Sequence, residues 1–250
     1  YKSNLFMKPV FSKAKTQLKR VVLCEGEDQR VLHATQQIVS QKLAFPVLIG
    51  RPEVIERRIK ELGLTIQPGK DFELVNNQRD PRYREYWGEY YQSMKRKGIT
   101  EEMARRRVIG NTTLIGALMV NRGDADAMIC GTFGRYREHF DTIEQVIGYN
   151  NPEKVAGAMN ALILPHGNIF ITDTYVNAKP NAAQLAKITE MATEDMRRFG
   201  IEPKVALMSN SNFGSIDNDT SRLMQDTLEL VRAAQPDLEV DGEMQGDVAL

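Results

Sequence analysis

The chain has 250 residues, 42% of them hydrophobic and 26% charged, which is enough apolar material for a sizeable core in one large or two small domains. Lysine plus arginine equal aspartate plus glutamate at 33 each, so no long-range field draws the chain to nucleic acid or an anionic membrane, and any anion must be gripped locally. No apolar run approaches the ~20 residues of a membrane helix, no signal segment is visible, and two cysteines, Cys24 and Cys130, do not make a disulfide framework; a reducing cytoplasm is the expected setting.

The chain begins at Tyr1 rather than methionine and enters an amphipathic segment between Leu5 and Leu18, which fits a piece of something longer. Residues 20–24 read as a first strand, followed by Glu25, Glu27 and Asp28, acidic residues that suit a helix N-terminus and could also hold a divalent cation. Residues 45–49 read as a second strand. Pro52 then opens a helix that turns Val54, Ile55, Ile59 and Leu62 inward and stops at Gly63. Tyr83, Trp87, Tyr90 and Met94 keep near-heptad spacing and predict a core-facing stripe. Arg105, Arg106 and Arg107 fall on the solvated face of a helix between Glu102 and Leu114.

A third strand is expected at 126–130, and the polar cluster at 148–152 suggests a boundary between one lobe at 1–150 and another at 151–250. Strands follow at 168–172, 204–208 and 238–240. Asn181 and Gln184 form a reciprocal cap for a helix that directs Leu185, Ile188, Ala192, Met196 and Phe199 inward, ended by Arg197, Arg198 and Gly200. Short apolar strands alternating with helices predict an α/β fold with a mostly parallel sheet covered on both faces.

No glycine-rich dinucleotide fingerprint or P-loop is present. His33, His139 and His166 lack metal-ligand spacing and neither cysteine has a close partner, so the histidines read as structural and no metal is expected in this segment. Ligands of open α/β sheets sit beyond the carboxyl ends of strands, here 25–28, 131–132, 173–174 and 209–212, in a cleft between the lobes. The loop 209–215 lies between a strand and a helix starting near Asp219. Its hydroxyls, amides and backbone N–H groups suit an anion, or make an ordinary polar loop.

With Arg20-Val-Val-Leu-Cys-Glu-Gly-Glu-Asp-Gln-Arg-Val-Leu32, then Gly123-Asp-Ala-Asp126, Asn177-Ala-Lys-Pro-Asn-Ala-Ala-Gln-Leu185 and Asp241-Gly-Glu-Met-Gln-Gly-Asp247, nearly the whole chain resembles the phosphate acetyltransferase family. Within it the chain is most similar to the acetyltransferase-like domain that follows the catalytic portion of bacterial NADP-dependent malic enzymes. The resemblance implies two three-layer α/β lobes around a cleft, of the isocitrate and isopropylmalate dehydrogenase type, incomplete here at the C-terminus and paired into homodimers or larger oligomers. Active members exchange an acetyl group between the thiol of coenzyme A and phosphate. The attached malic enzyme domain would convert malate to pyruvate, and NADP and a divalent metal belong to that upstream portion.

Arginine grips phosphate best because its planar fork matches two oxygens at once. Active members carry one such arginine in a Leu-Arg-Lys-x-Lys-Gly stretch, which here reads Ser93-Met-Lys-Arg-Lys-Gly98 and places Met94 at the arginine position. A second lies in a Thr-Leu-Arg-Pro stretch that here reads His139-Phe-Asp-Thr142 and places Asp141 there. A cation exchanged for an anion about 4 Å from one unit of phosphate charge turns ~4 kcal/mol of attraction into similar repulsion at an effective dielectric near 20. Further family catalytic residues, a serine–arginine pair and an aspartate, belong beyond Leu250.

Segments expected to shape the coenzyme A side keep their family character. The expected contacts to acetyl-CoA are Thr132, Arg135, Arg137, Asn177, Lys179, Asn181, Ser209, Asn210, Ser211, Asn212, Gly214 and Ser215. A retained thioester site without a phosphate grip implies a catalytically silent domain with acetyl-CoA as its allosteric effector. Two alternatives stay open: a working acetyltransferase in which Arg135 or Arg137 replaces the missing grip, and a structural oligomerisation module with no ligand.

Overall fold

A computed structural model describes residues 2–165 and 167–250, with side chains from Met7 onward. His166 lies outside the described residues. The chain forms two compact units, one of Lys8–Gly148 and one of Tyr149–Leu250 that also takes the residues up to Met7. The opening helix, α1 (Lys2–Thr16), ends before Leu18, which is exposed. No described helix is long and apolar enough to cross a membrane.

The first unit runs β1 (Arg20–Leu23), α2 (Gln29–Gln41), β2 (Phe45–Ile49), α3 (Pro52–Glu61), β3 (Glu73–Val75), α4 (Tyr83–Met94), α5 (Glu101–Gly110), α6 (Thr112–Arg122), β4 (Ala127–Ile129) and α7 (Tyr136–Val146). Its four strands are all parallel, in the order β3-β2-β1-β4. Parallel neighbours need crossovers, which α2 and α3 supply on one side, while α4 to α6 carry the chain back past β1 to β4. The direction of winding therefore reverses between β1 and β4.

The period of two along each strand sorts the core into two layers. Val22, Cys24, Val47 and Ile49 face a cluster with Tyr86, Tyr90, Met94, Val108, Ile115 and Leu118, whereas Leu23 and Leu48 face Leu32, Ile55, Ile59 and Phe72. The stripe on α4 is core-facing as expected, but Tyr86 replaces Trp87 at its centre: Tyr86 is fully buried and donates its hydroxyl to Asp124 at 3.1 Å. Trp87 is only partly buried, beneath the guanidinium of Arg105 at 4.3 Å.

Three expectations change in this unit. The helix between Glu102 and Leu114 is broken at Asn111, whose extended backbone and side-chain bond to the Leu114 amide start α6. The three-residue strand β3 is too short to have stood out. The strand at 126–130 shrinks to β4, which among the described residues is an edge strand beside β1, and its Ile129 is 55% exposed.

The second unit contains β5 (Met159–Leu164), β6 (Gly167–Thr172), α8 (Ala182–Arg198), β7 (Lys204–Met208), α9 (Asp219–Ala234), β8 (Glu239–Met244) and α10 (Gly246–Ala249). β7 and β8 are parallel with α9 as their crossover, and Leu207, Leu228, Val231, Leu238 and Val240 form the core between them. Residues 168–172, expected as a buried parallel strand, belong instead to an antiparallel hairpin with β5. Only two residues separate the strands, a length that allows no parallel crossover. The hairpin also leaves Leu162, Ile163, Leu164 and Ile171 at 40–45% exposure, so coverage on both faces does not hold among the described residues.

Asn181 and Gln184 do form the reciprocal cap of α8, and Gly200 follows in the left-handed region at φ 75°. The inward face differs, however. Leu185, Ile188, Thr189 and Thr193 are buried while Phe199 is exposed. Thr189 enters the core because its hydroxyl bonds back to the Leu185 carbonyl at 2.9 Å, which removes the cost of burying it.

Candidate functional site

The carboxyl ends of β1, β2 and β3 open into a cavity of about 290 Å³ in the first unit, lined by residues 24–28 and 49–51 with Asn77, Gln78, Thr112 and Phe133. It lies where the sheet reverses its winding, the position at which open α/β sheets bind ligands. Gly26 forms part of its wall because a side chain there would sit 2.7 Å from the Ile49 carbonyl oxygen, a backbone atom held in the sheet. Gly26→Ala is expected to lower the stability of the unit by about 2 kcal/mol. An unchanged urea midpoint would show that the strand end yields.

Two of the three acids at this cavity, Glu27 and Asp28, are ion-paired. Glu27 accepts two bonds from the Arg51 guanidinium, at 2.8 and 2.9 Å, which hold its carboxyl below the usual range. Asp28 caps α2 through the Arg30 amide at 2.8 Å and is likewise held low, chiefly by the Arg30 side chain. Glu25 is buried and accepts from the Gly131 amide at 2.9 Å and the Thr132 hydroxyl at 3.3 Å, with no ion-pair partner among the described residues. Arg30 also donates to the Thr132 carbonyl at 3.0 Å, so both polar groups of Thr132 are engaged inside the site.

The two positions that the resemblance matches to arginines are now placed. Met94 is 6% exposed, inside the apolar core beneath α4. Asp141 is on α7, ion-paired with Arg137 at 2.7 Å, and the same guanidinium lies over Phe140 at 5.4 Å. Arg135 is exposed, with Glu138 at 3.9 Å. Arg137 is thus paired with Asp141 across one turn of α7, and Arg135 is held more loosely.

In the second unit, loop 209–215 is folded around an internal anion. Glu243 is 1% exposed and accepts from the Gly214 amide at 2.7 Å, the Ser211 hydroxyl at 2.9 Å and the Gln225 amide at 3.0 Å; the Gly214 bond leads in holding its carboxyl down at about 2. Further donors are used locally: the Ser211 amide on the Ser209 hydroxyl, the Asn212 amide on the Ser215 hydroxyl and the adjoining Ile216 amide on the Ser211 hydroxyl. Part of the donor set expected for an external anion, the Gly214 N–H and the Ser211 hydroxyl, is thus taken by an anion of the chain itself. Asn210 stays exposed, its carbonyl accepting from Gln245 at 2.9 Å.

The other candidates there divide similarly. Asn177 spends both ends of its amide on the Ala156 backbone, at 3.2 and 2.9 Å, and Asn181 spends its oxygen on the α8 cap. Lys179 is exposed and makes none of the ion pairs among the described residues.

The two cysteines, expected to have no close partner, are neighbours. The β1–β4 register pairs Leu23 with Ile129, and the Cys24 amide donates to the Ile129 carbonyl at 3.0 Å, which sets Cys24 beside Cys130. Cys24 is fully buried and Cys130 half-buried. Interaction with the Cys24 thiol, with help from His139 and Thr113, lowers the Cys130 thiol to about 7. The sole signal in the sequence was that each cysteine closes a candidate strand. Glu243 gave none beyond its place in a quoted motif.

A family model described as phosphate acetyl/butaryl transferase matches residues 5–250. The chain belongs to that family. Its phosphate acetyl/butaryl transferase relatives include an NADP-dependent malic enzyme from Salmonella typhimurium, 62% identical over 100% of this chain and 33% of that protein. A phosphate acetyltransferase from Corynebacterium glutamicum is 31% identical over 99% of this chain and 74% of its own length. Among solved structures, a phosphotransacetylase from Staphylococcus aureus superposes with a TM-score of 0.83 at 25% identity, covering 98% of this chain and 74% of that one. The chain spans about a third of the length of the malic enzymes it matches.

Proposed function

We propose that this chain is the catalytically silent regulatory and assembly domain of a longer, cytoplasmic NADP-dependent malic enzyme, and that it binds acetyl-CoA as an effector. One observation carries the reading: neither arginine position of the acetyltransferases holds a cation, Met94 being core and Asp141 a carboxylate tied to Arg137. The strand-end cavity points the same way, because Arg51, the arginine in its lining, is committed to Glu27 while Glu25 adds an acid. A phosphate dianion entering there meets no free guanidinium. In the second unit Lys179 and the exposed rings of Tyr175 and Phe213 supply a counter-charge and stacking faces suited to a nucleotide thioester. The same reading gives each unit the character of an isocitrate and isopropylmalate dehydrogenase-like lobe and assembles the protein into homodimers or larger oligomers.

Acetyl-CoA at about a hundred times its dissociation constant is expected to stabilise the domain by about 2.7 kcal/mol, read as a rise in melting temperature, with no phosphate-dependent release of coenzyme A thiol. Robust acetyl phosphate formation sinks the reading. The loose hold on Arg135 favours the active acetyltransferase as a second reading, and loss of that turnover in Arg135→Ala would establish it. Absence of heat on titration with acetyl-CoA would leave a structural module.

A further inference from the structure

We infer that Cys24 and Cys130 are a peroxide-reactive dithiol, with Cys130 the attacking sulfur and Cys24 the resolving one, which closes to a disulfide across the β1–β4 reversal point. Adjacent strands place paired Cα atoms about 4.8 Å apart, inside the roughly 4.4–6.8 Å window of disulfides. The pair lies one step beyond Leu23 and Ile129, where the ladder is ending: the next amide, Gly131, turns away to the Glu25 carboxylate at 2.9 Å. Strand ends released from the ladder have room to draw together. Gly116 leaves space on the other side, since a side chain there would lie 2.6 Å from the Cys24 sulfur.

The surroundings assign the two roles. Cys130 is partly exposed and has a hydrogen-bonded relay behind it. The Nε2 of His139 faces the Phe133 carbonyl at 2.9 Å, an acceptor only, so that nitrogen carries a proton. Its Nδ1 lies 2.8 Å from the Thr113 hydroxyl, which in turn supports the Cys130 sulfur. Glu25 acts against the thiolate, while the Cys24 thiol, which retains its proton in the buried site, acts for it. The thiolate is the nucleophile in sulfur chemistry, so Cys130 reacts first.

Two steps balance the reaction. The Cys130 thiolate attacks one oxygen of hydrogen peroxide, the O–O bond breaks, and the oxygen that keeps its hydrogen becomes the sulfenic acid while the departing hydroxide takes up a proton as water. The Cys24 sulfur then attacks the Cys130 sulfur, its proton departs with the displaced hydroxyl as water, and the S–S bond forms. Peroxide is reduced by two electrons and the two thiols are oxidised. A dithiol reductant reverses the change.

Full-length protein treated with hydrogen peroxide, alkylated and digested without reduction should yield one peptide pair joined through Cys24 and Cys130 and separated by dithiothreitol. In Cys24→Ser the sulfenic acid on Cys130 persists and is captured by dimedone, and Cys130→Ser takes up no dimedone at Cys24. Thr113→Val, close to isosteric at a buried position, should slow the first step about three- to tenfold with the fold retained by circular dichroism. A wild-type protein that accumulates dimedone-reactive Cys130 without the joined peptide, or that bridges Cys130 between two molecules, overturns the assignment. So does a Thr113→Val protein that reacts at the wild-type rate.

Discussion

Replacing Met94 by arginine is expected to abolish stable folding of the first unit, not to restore acetyl transfer. Met94 ends α4 at 6% exposure and packs with Tyr90, Ile99 and Ala104 in the larger of the two apolar layers. A guanidinium there has no carboxylate partner in that cluster and must be stripped of water, which places the cost above about 4 kcal/mol. Met94→Ala removes side-chain volume without adding charge, and about 2–4 kcal/mol is expected for it. Urea denaturation followed by circular dichroism compares them. An arginine variant with a native midpoint and gained phosphate-dependent turnover would mean that the side chain swings out to the cavity, and the proposal of a silent domain would lose its reason. The family's arginine therefore cannot be put back one residue at a time. Asp141→Arg meets the same obstacle in milder form, because it would face Arg137 across one turn of α7.

The second large effect concerns Glu243. Its folded carboxyl is held at about 2 against an ordinary value of 4.5, so the charged form is favoured in the folded state. The sign follows: the stabilisation is complete above about pH 4.5 and is lost as the pH falls towards 2. The side chain is sealed at contact distance, yet the cover is thin and longer-range surroundings are sparse, so about 2 kcal/mol is a better size than the full shift suggests. Glu243→Gln keeps the shape but turns an amide towards donors already present on Ser211, Gly214 and Gln225, and it should cost a similar amount at neutral pH. It should also flatten the acid limb of the stability curve. The check is a set of urea titrations between pH 2 and 7; a parallel acid limb in both proteins would assign the acid sensitivity to other carboxylates.

Much of this architecture was written locally. The caps at Asn181 and Gln184, Pro52 at the start of α3 and Gly63 and Gly200 beyond helix ends act within a few residues, and all are in place. The strands ending at Leu23, Ile49 and Met208 were legible because four or five consecutive apolar residues have little choice once helices cover both faces. Strand β5 escaped notice, and β6 was misread as parallel, because pairing direction depends on the partner and the connection, neither of which a five-residue window contains. The inner face of α8 shifted for a related reason. Threonine hydroxyls bonded to the helix backbone count as apolar in place, although their composition reads polar.

The sequence alone determined the α/β class and the family, and by resemblance it set Met94 and Asp141 at positions where arginine is expected, since each rests on residue identity and short-range order. Only the tertiary structure decided what those residues touch: Met94 in the core, Asp141 against Arg137, Glu243 inside a loop more than twenty-five residues away along the chain, and Cys24 beside Cys130 from strands a hundred residues apart. Charge pairing and thiol chemistry depend on distances of a few ångströms, and the crossovers that set those distances bring together segments whose sequences carry no mark of each other.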